Sequence, residues 1–280
     1  MAGNDYTINA VQKALRILKL FEGEDEMSLS RISKLSGIGK STTLRFLYTL
    51  HKEGFVAYDE VRKVYSLGLV LFELGMRKYQ AMDFHRTAIP QLWALADKTG
   101  CICYLGVNWD DTLLMLEKVF PKMVPTWAQL MTPAGGNLPL YSTGIGRLFL
   151  AHMPDERVAA YLDRVEFAKL TPDTIVDKDA ILELVVKARR EKVAYCYAEN
   201  EPYISSICAP IYDYSGTMVA GISVGGVSEV VHGPDQDRYK RLVVDAAADI
   251  SRRIGYRETG RKRDGDRNGQ IQSGHHRLCL

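Results

Sequence analysis

The residues best suited to chemistry cluster between Lys40 and Glu53. Thr43, Phe46, Leu47 and Leu50 fall at i, i+3, i+4 and i+7, the spacing of one inward face of an α-helix. The same helix then turns Ser41, Leu44, Arg45, Tyr48 and Lys52 outward, with Lys40 and Thr42 in its first turn. An arginine so placed presents a fork of donors that fits guanine O6 and N7, and hydroxyls at a helix start suit phosphate oxygens. Leu44 offers an apolar contact for a thymine methyl. Between Glu26 and Glu53 there is no acidic residue, while Arg31, Lys34, Lys40, Arg45 and Lys52 are basic. That local field favours a polyanion even though the whole chain carries only +2. A merely solvated helix face would carry the same charges, so the surrounding elements decide the reading.

Upstream, Val11, Ala14, Leu15, Leu18 and Phe21 predict a first helix with one inward stripe, capped by Asn9 and ended by Glu22-Gly23-Glu24-Asp25. A second short helix follows, capped by Ser28 or Ser30, with Leu29, Ile32 and Leu35 inward, and Gly37 permits a tight turn into the third. Downstream, Gly54–Tyr58 and Val64–Leu67 flank the polar turn Asp59–Lys63 as a β-hairpin, whose tip leaves Arg62 and Lys63 free for backbone or minor-groove contacts. Helix, helix-turn-helix and hairpin in that order predict a winged helix over 8–67 that reads double-stranded DNA. An amphipathic helix, about Leu69 to Tyr79 within a linker over 68–82, leads out of it.

At 280 residues the chain has room for about two domains, and 46% hydrophobic and 25% charged residues are ordinary for a globular protein. No apolar run approaches the roughly 18 residues that span a bilayer, and the opening residues do not read as a signal peptide. Five cysteines without a CxxC pair predict a reduced, cytoplasmic protein without a disulfide framework or structural zinc.

The second half reads as α+β over 83–257. Helices are expected at Ala88–Lys98, Ser142–Met153, Asp155–Leu162, Lys178–Glu191 and Asp235–Ile254. A hairpin over Cys101–Val107 and Leu113–Val119 turns at Asn108–Asp111, and strands follow at Ala194–Tyr197, Ser206–Tyr212 and Met218–Val224. The Gly- and Arg-rich segment 258–280 has the composition of a disordered tail.

Several stretches, in this order and spacing, resemble the IclR family of bacterial transcriptional regulators. Ala10–Leu18 is similar to that family's opening helix, Ile32–Leu47 to its helix-turn-helix, and Tyr65-Ser66-Leu67-Gly68 to the close of its wing. The likeness spans about residues 8–257. It implies a winged helix joined to a GAF-like α+β effector domain, assembling as a homodimer or dimer of dimers on an operator. Leu138–Arg147 resembles the family's loop that opens a helix beside the effector pocket, and such a helix start suits a carboxylate. Carried over by position, the pocket includes Leu138, Gly144, Ile145, Cys196, Ser206, Ser223 and Gly225 and takes a small organic acid. This chain departs from the pattern in four places. Arg147 replaces a lysine, Cys196 an acidic residue, Pro202-Tyr203 a glycine and Gly225 a serine. With Tyr195, Tyr203 and Trp127 nearby, an aromatic or bulkier acid suits it.

Two alternatives remain open. A DNA-binding dimer without ligand control would need the second half only for assembly. An enzyme is less consistent, because there is no GxSxG, GxxxxGK[ST], HExxH or EF-hand motif, and Gly144-Ile145-Gly146 lacks the third glycine and preceding strand of a dinucleotide site. Cys101 and Cys103 read as core thiols, His51, His85, His152 and His232 as isolated residues and His275-His276 as part of the tail, and no catalytic residue, metal ligand or cofactor is expected.

Overall fold

The computed structural model describes residues 6–123 and 132–257. Trp127 and the segment 258–280, with its expected disorder, lie outside them. The chain divides into two compact units, Met1–Arg86 and Thr87–Leu280.

In the first unit, α1 (Asn9–Lys19), α2 (Leu29–Ser36) and α3 (Lys40–Lys52) precede β2 (Val56–Asp59) and β3 (Val64–Leu67). A two-residue β1 (Met27–Ser28) adds to the hairpin, giving the strand order β1-β3-β2, and α4 (Leu69–Gln80) follows. Ile17, Phe21, Met27, Ile32, Leu47, Val56 and Tyr65 form the core. Each such side chain contributes about 1.5–3 kcal/mol on leaving water. Three expectations are corrected. Val11 and Leu15 are 53% and 54% exposed, and Ile17 takes the inward position instead. Asn9 is the first helical residue, and the N-cap is Ile8, without a side-chain cap. Leu35 also lies largely outside. Ser28, not Ser30, caps α2, its hydroxyl accepting from the Arg31 N–H at 3.3 Å. No residue of α4 is buried, so its apolar side chains line no core in the described residues.

In the second unit, α5 (His85–Thr99) enters a sheet of six strands among the described residues, ordered β6-β5-β4-β9-β8-β7. These are β4 (Ile102–Trp109), β5 (Thr112–Val119), β6 (Asn137–Pro139), β7 (Ala194–Tyr197), β8 (Ile204–Tyr212) and β9 (Met218–Val227), with every neighbouring pair antiparallel. Between β6 and β7 run α6 (Gly144–Ala151), α7 (Asp155–Arg164) and α8 (Lys178–Glu191), and α9 (Ser228–Val231) and α10 (Gln236–Arg253) close the unit. The β4–β5 turn narrows to Asp110-Asp111, both at positive φ, the geometry that matches strand twist in a two-residue hairpin. The Asp111 carboxylate accepts from Arg157 and Arg164 of α7 at 3.1 and 2.5 Å.

The register sets the chemistry of one sheet face. Cys196 pairs with Ser206, Ser206 with Gly225 and Gly225 with Ile102. Two residues along, Ala194 pairs with Cys208, Cys208 with Ser223 and Ser223 with Tyr104. Because side chains alternate with period two, both rows point to the same side. That side meets α6, where a Cβ on Gly221 would strike Ile145 at 2.6 Å. Ala209, on the opposite side from Cys208, lines a separate cavity with Val244 and Ala247 of α10.

Candidate functional site

The outward face of α3 is open as the sequence predicts. Lys40, Ser41, Thr42 and Arg45 are exposed, with Leu44 at 46% and Tyr48 at 68%, whereas Thr43 and Leu47 are buried. Thr43 is a polar residue in the core because its hydroxyl donates to the Ile38 and Gly39 carbonyls at 3.0 and 3.2 Å. Gly37, at φ +68°, supplies the left-handed turn between α2 and α3. Gly39 caps α3 without a side-chain bond, so its first N–H groups stay available to a phosphate. Among the described residues Arg45 pairs with no carboxylate.

The wing differs from expectation. Arg62 was expected free at the tip, but it donates from Nη1 to Glu26 Oε1 at 2.7 Å, and Arg31 pairs in the same way with Glu24. Asp59 accepts from the Val61 and Arg62 N–H groups at 2.8 and 2.9 Å, and the Arg62 N–H bond holds its carboxyl below the ordinary value. Lys63, at φ +56°, holds its ammonium 6.0 Å from the Tyr58 ring centroid. Both ion pairs are exposed and so nearly neutral in free energy, which lets phosphates replace the glutamates at little cost. The pairing of Glu24 and Glu26 with these arginines escaped the sequence because both flank the acid-free stretch rather than interrupt it.

In the second unit Leu138, Gly144, Ile145, Cys196, Ser206, Ser223 and Gly225 all line one cavity. Its accessible volume is about 70 Å³, and it opens to solvent. Its lip is the start of α6, where the Thr143 hydroxyl accepts from the Gly146 N–H at 3.1 Å and donates to the Pro139 carbonyl at 3.0 Å. A Cβ on Gly144 would lie 2.4 Å from Cys208 Sγ, so only glycine allows this approach of helix to sheet. Ser223 is buried, yet its hydroxyl has no hydrogen-bond partner among the described residues. Burial pushes the Cys196 and Cys208 thiols up to about 11 and about 12, so both are neutral near pH 7 and act as soft apolar walls.

Tyr195 and Tyr203 do not line the cavity; among the described residues its aromatic wall is Tyr104. Tyr195 stacks beside Tyr197, and Tyr203 is exposed. The larger omission is the loop between β7 and β8, which brings Asn200 and Glu201 into the wall. Ala198 and Tyr203, at φ +54° and +66°, bend its two ends. The Thr171 and Thr174 hydroxyls donate to the Ala198 and Glu199 carbonyls at 2.7 and 2.6 Å. Glu199 is 1% exposed and forms a two-pronged ion pair with Arg147, itself 1% exposed, whose Nη1 also donates to the Tyr195 carbonyl at 2.9 Å. The Thr132 N–H and hydroxyl donate to Glu201 Oε1 at 2.6 and 2.7 Å. The run Glu199-Asn200-Glu201 between two apolar strands was the available signal.

The family model for the bacterial transcriptional regulator IclR C-terminal domain matches residues 76–252, and that for the IclR helix-turn-helix domain matches 10–60. The chain belongs to the IclR family. It is 29% identical over 252 residues to the HTH-type transcriptional regulator KdgR of Escherichia coli, covering 90% of this chain and 95% of that protein. Among solved structures, an IclR transcriptional regulator from Alicyclobacillus acidocaldarius is 28% identical with a TM-score of 0.78, covering 88% of this chain and 99% of that one. An IclR homologue from Microbacterium hydrocarbonoxydans, complexed with 4-hydroxybenzoate, shares the fold at a TM-score of 0.77 and 20% identity, covering 88% and 99%. The IclR-type architecture, a DNA-binding helix-turn-helix followed by an α+β effector-binding domain, is therefore that of this chain. No helix among the described residues is long and apolar enough to cross a membrane.

Proposed function

We propose that the chain regulates transcription in the cytoplasm by binding a pseudo-palindromic operator as a homodimer or dimer of dimers, and that a small organic acid in the sheet cavity changes its DNA affinity. Residues 8–67 read DNA, 68–82 link, and 83–257 sense and assemble. In each dimer two α3 helices enter successive major grooves, with half-sites about 34 Å apart. Base contacts come from Arg45, Leu44 and Tyr48, and phosphate contacts from Lys40, Ser41, Thr42, Arg31, Arg62 and Lys63. The observation that carries the sensing role is the convergence of seven residues from β6, α6, β7, β8 and β9 on one cavity beside a helix start. A helix start and a free serine hydroxyl suit a carboxylate. The 4-hydroxybenzoate in the Microbacterium homologue makes an aromatic acid a natural first probe. The chain acts as a regulator rather than an enzyme.

Thermal-shift screening with aromatic and aliphatic carboxylates, followed by operator titration, tests this. A stabilising acid that also changes operator affinity is expected, because an effector acts only through its differential affinity for two states. Silence across both classes would favour a DNA-binding dimer without ligand control. On the DNA side, Arg45→Ala is expected to lower operator affinity by about 1–3 kcal/mol and relax preference at one base position. Unchanged fluorescence anisotropy would remove that role. Arg62→Ala is expected to weaken all sequences alike and to reduce the slope of log K against log salt by about 1. A sequence-selective loss would instead mean base reading at the wing.

A further inference from the structure

The cavity wall leaves polar groups unspent, and two of them differ in kind. Ser223 presents a hydroxyl that both donates and accepts, and it is 3% exposed without a partner among the described residues. Glu201 presents a carboxylate, which only accepts. Its Oε1 is filled by the Thr132 N–H and hydroxyl, whereas Oε2 accepts no hydrogen bond among the described residues. No lysine, arginine or histidine is among the described residues lining the cavity. Lys118 stands at its margin: it faces Tyr104 across β4 and β5, and its ammonium lies 5.8 Å from that ring. Burial lowers the Lys118 pKa while the nearby Glu201 charge opposes that shift.

We propose that Glu201 is a specificity-determining residue and that the effector is a hydroxylated organic acid whose hydroxyl donates to the free Glu201 oxygen. This rests on the effector role assigned above to the same cavity. A carboxylate in the wall of a site for acids repels a second carboxylate, so it excludes the ligand's acid group from that corner and directs it toward Ser223 and the start of α6. The hydroxyl then satisfies an acceptor that an unsubstituted acid would leave unpaired and partly desolvated. The loop is fixed before the ligand arrives: Asn200 Oδ1 accepts from the Ser142 hydroxyl at 3.2 Å and Arg147 clamps Glu199. Glu201 therefore selects by position, with little ordering on binding.

The test uses the full chain and calorimetric titration with matched acids: benzoate against 3- and 4-hydroxybenzoate, and butyrate against 3- and 4-hydroxybutyrate. In at least one set the hydroxylated acid is expected to bind about tenfold tighter or more, as for a hydrogen bond to a charged group. Glu201→Gln, which keeps an oxygen for Thr132, is expected to collapse that ratio toward one. Thr132→Val weakens the anchor but keeps the carboxylate, and is expected to preserve it. Equal binding of both members of every pair, or a ratio untouched by Glu201→Gln, overturns the proposal while leaving the effector role in place. If Thr132→Val erases the ratio as fully as Glu201→Gln does, Glu201 is only an anchor and the proposal also falls. No binding of any acid overturns both this proposal and the effector role.

Discussion

Glu199→Gln is expected to lower the unfolding free energy of the second unit by about 3–5 kcal/mol, the cost of leaving a buried charge without its partner. Arg147 and Glu199 are each 1% exposed, and their two-pronged contact ties α6 to the loop after β7 across 52 positions of sequence. Arg147→Met leaves the carboxylate stranded instead and is expected to cost a similar amount. The double substitution Arg147→Met, Glu199→Met removes both charges and is expected to recover most of the loss, because burying two apolar side chains avoids the desolvation of two ions. Arg147→Lys keeps one charge but loses the planar fork that reaches both carboxylate oxygens and the Tyr195 carbonyl, so an intermediate loss of about 1–2 kcal/mol is expected. Denaturant melts followed by tryptophan fluorescence and far-UV circular dichroism read these differences. A Glu199→Gln chain within about 1 kcal/mol of the parent, or a double variant no better than either single one, would mean that water or mobility already relieves the charge.

That ion pair also marks where sequence reasoning stops. The face of α3 was legible because one row, Thr43, Phe46, Leu47 and Leu50, keeps the i, i+3, i+4, i+7 spacing and is flanked by basic and hydroxyl residues on the opposite side. In α1 two apolar rows compete: Ile8, Val11 and Leu15 on one side, Ala14, Ile17, Leu18 and Phe21 on the other. Periodicity alone assigns no inside to either, and only packing against α2, α3 and the hairpin chooses Ile17 and Phe21. The strands β1 and β6, two and three residues long, are too short to show a period. In the cavity, positions on strands and at the α6 start were reachable through motif resemblance. Asn200 and Glu201 were signalled only as a polar run between two apolar strands, because their place in the wall depends on partners 58 and 69 positions away, Ser142 and Thr132. Spacing within a local window carries no trace of such pairs.

The two glycines that look like a fragment of a phosphate loop illustrate the same point, and Gly146 has the sharper consequence. A Cβ there would lie 2.4 Å from the Leu140 carbonyl oxygen, 2.4 Å from Thr143 Oγ1 and 2.5 Å from Leu140 Cα. Two of those neighbours are backbone, and the third is the capping hydroxyl of α6, so no flexible side chain can move aside. Gly146→Ala therefore trades a small gain in helix propensity for overpacking, typically about 1–3 kcal/mol, together with loss of the Thr143 cap, about 0.5–2 kcal/mol. A net destabilisation of about 2–4 kcal/mol of the second unit is expected on those terms. Thr143→Ala separates the two: it removes the cap without adding volume and is expected to cost only the smaller share. Because Gly144 and Ile145 line the cavity one step away, Gly146→Ala is also expected to abolish stabilisation by any acid that protects the parent. Thermal melts with and without that acid read both effects. A Gly146→Ala chain as stable as the parent and still protected would show that α6 can shift off β6 freely, and that the start of this helix is not the rigid lip on which acid binding depends.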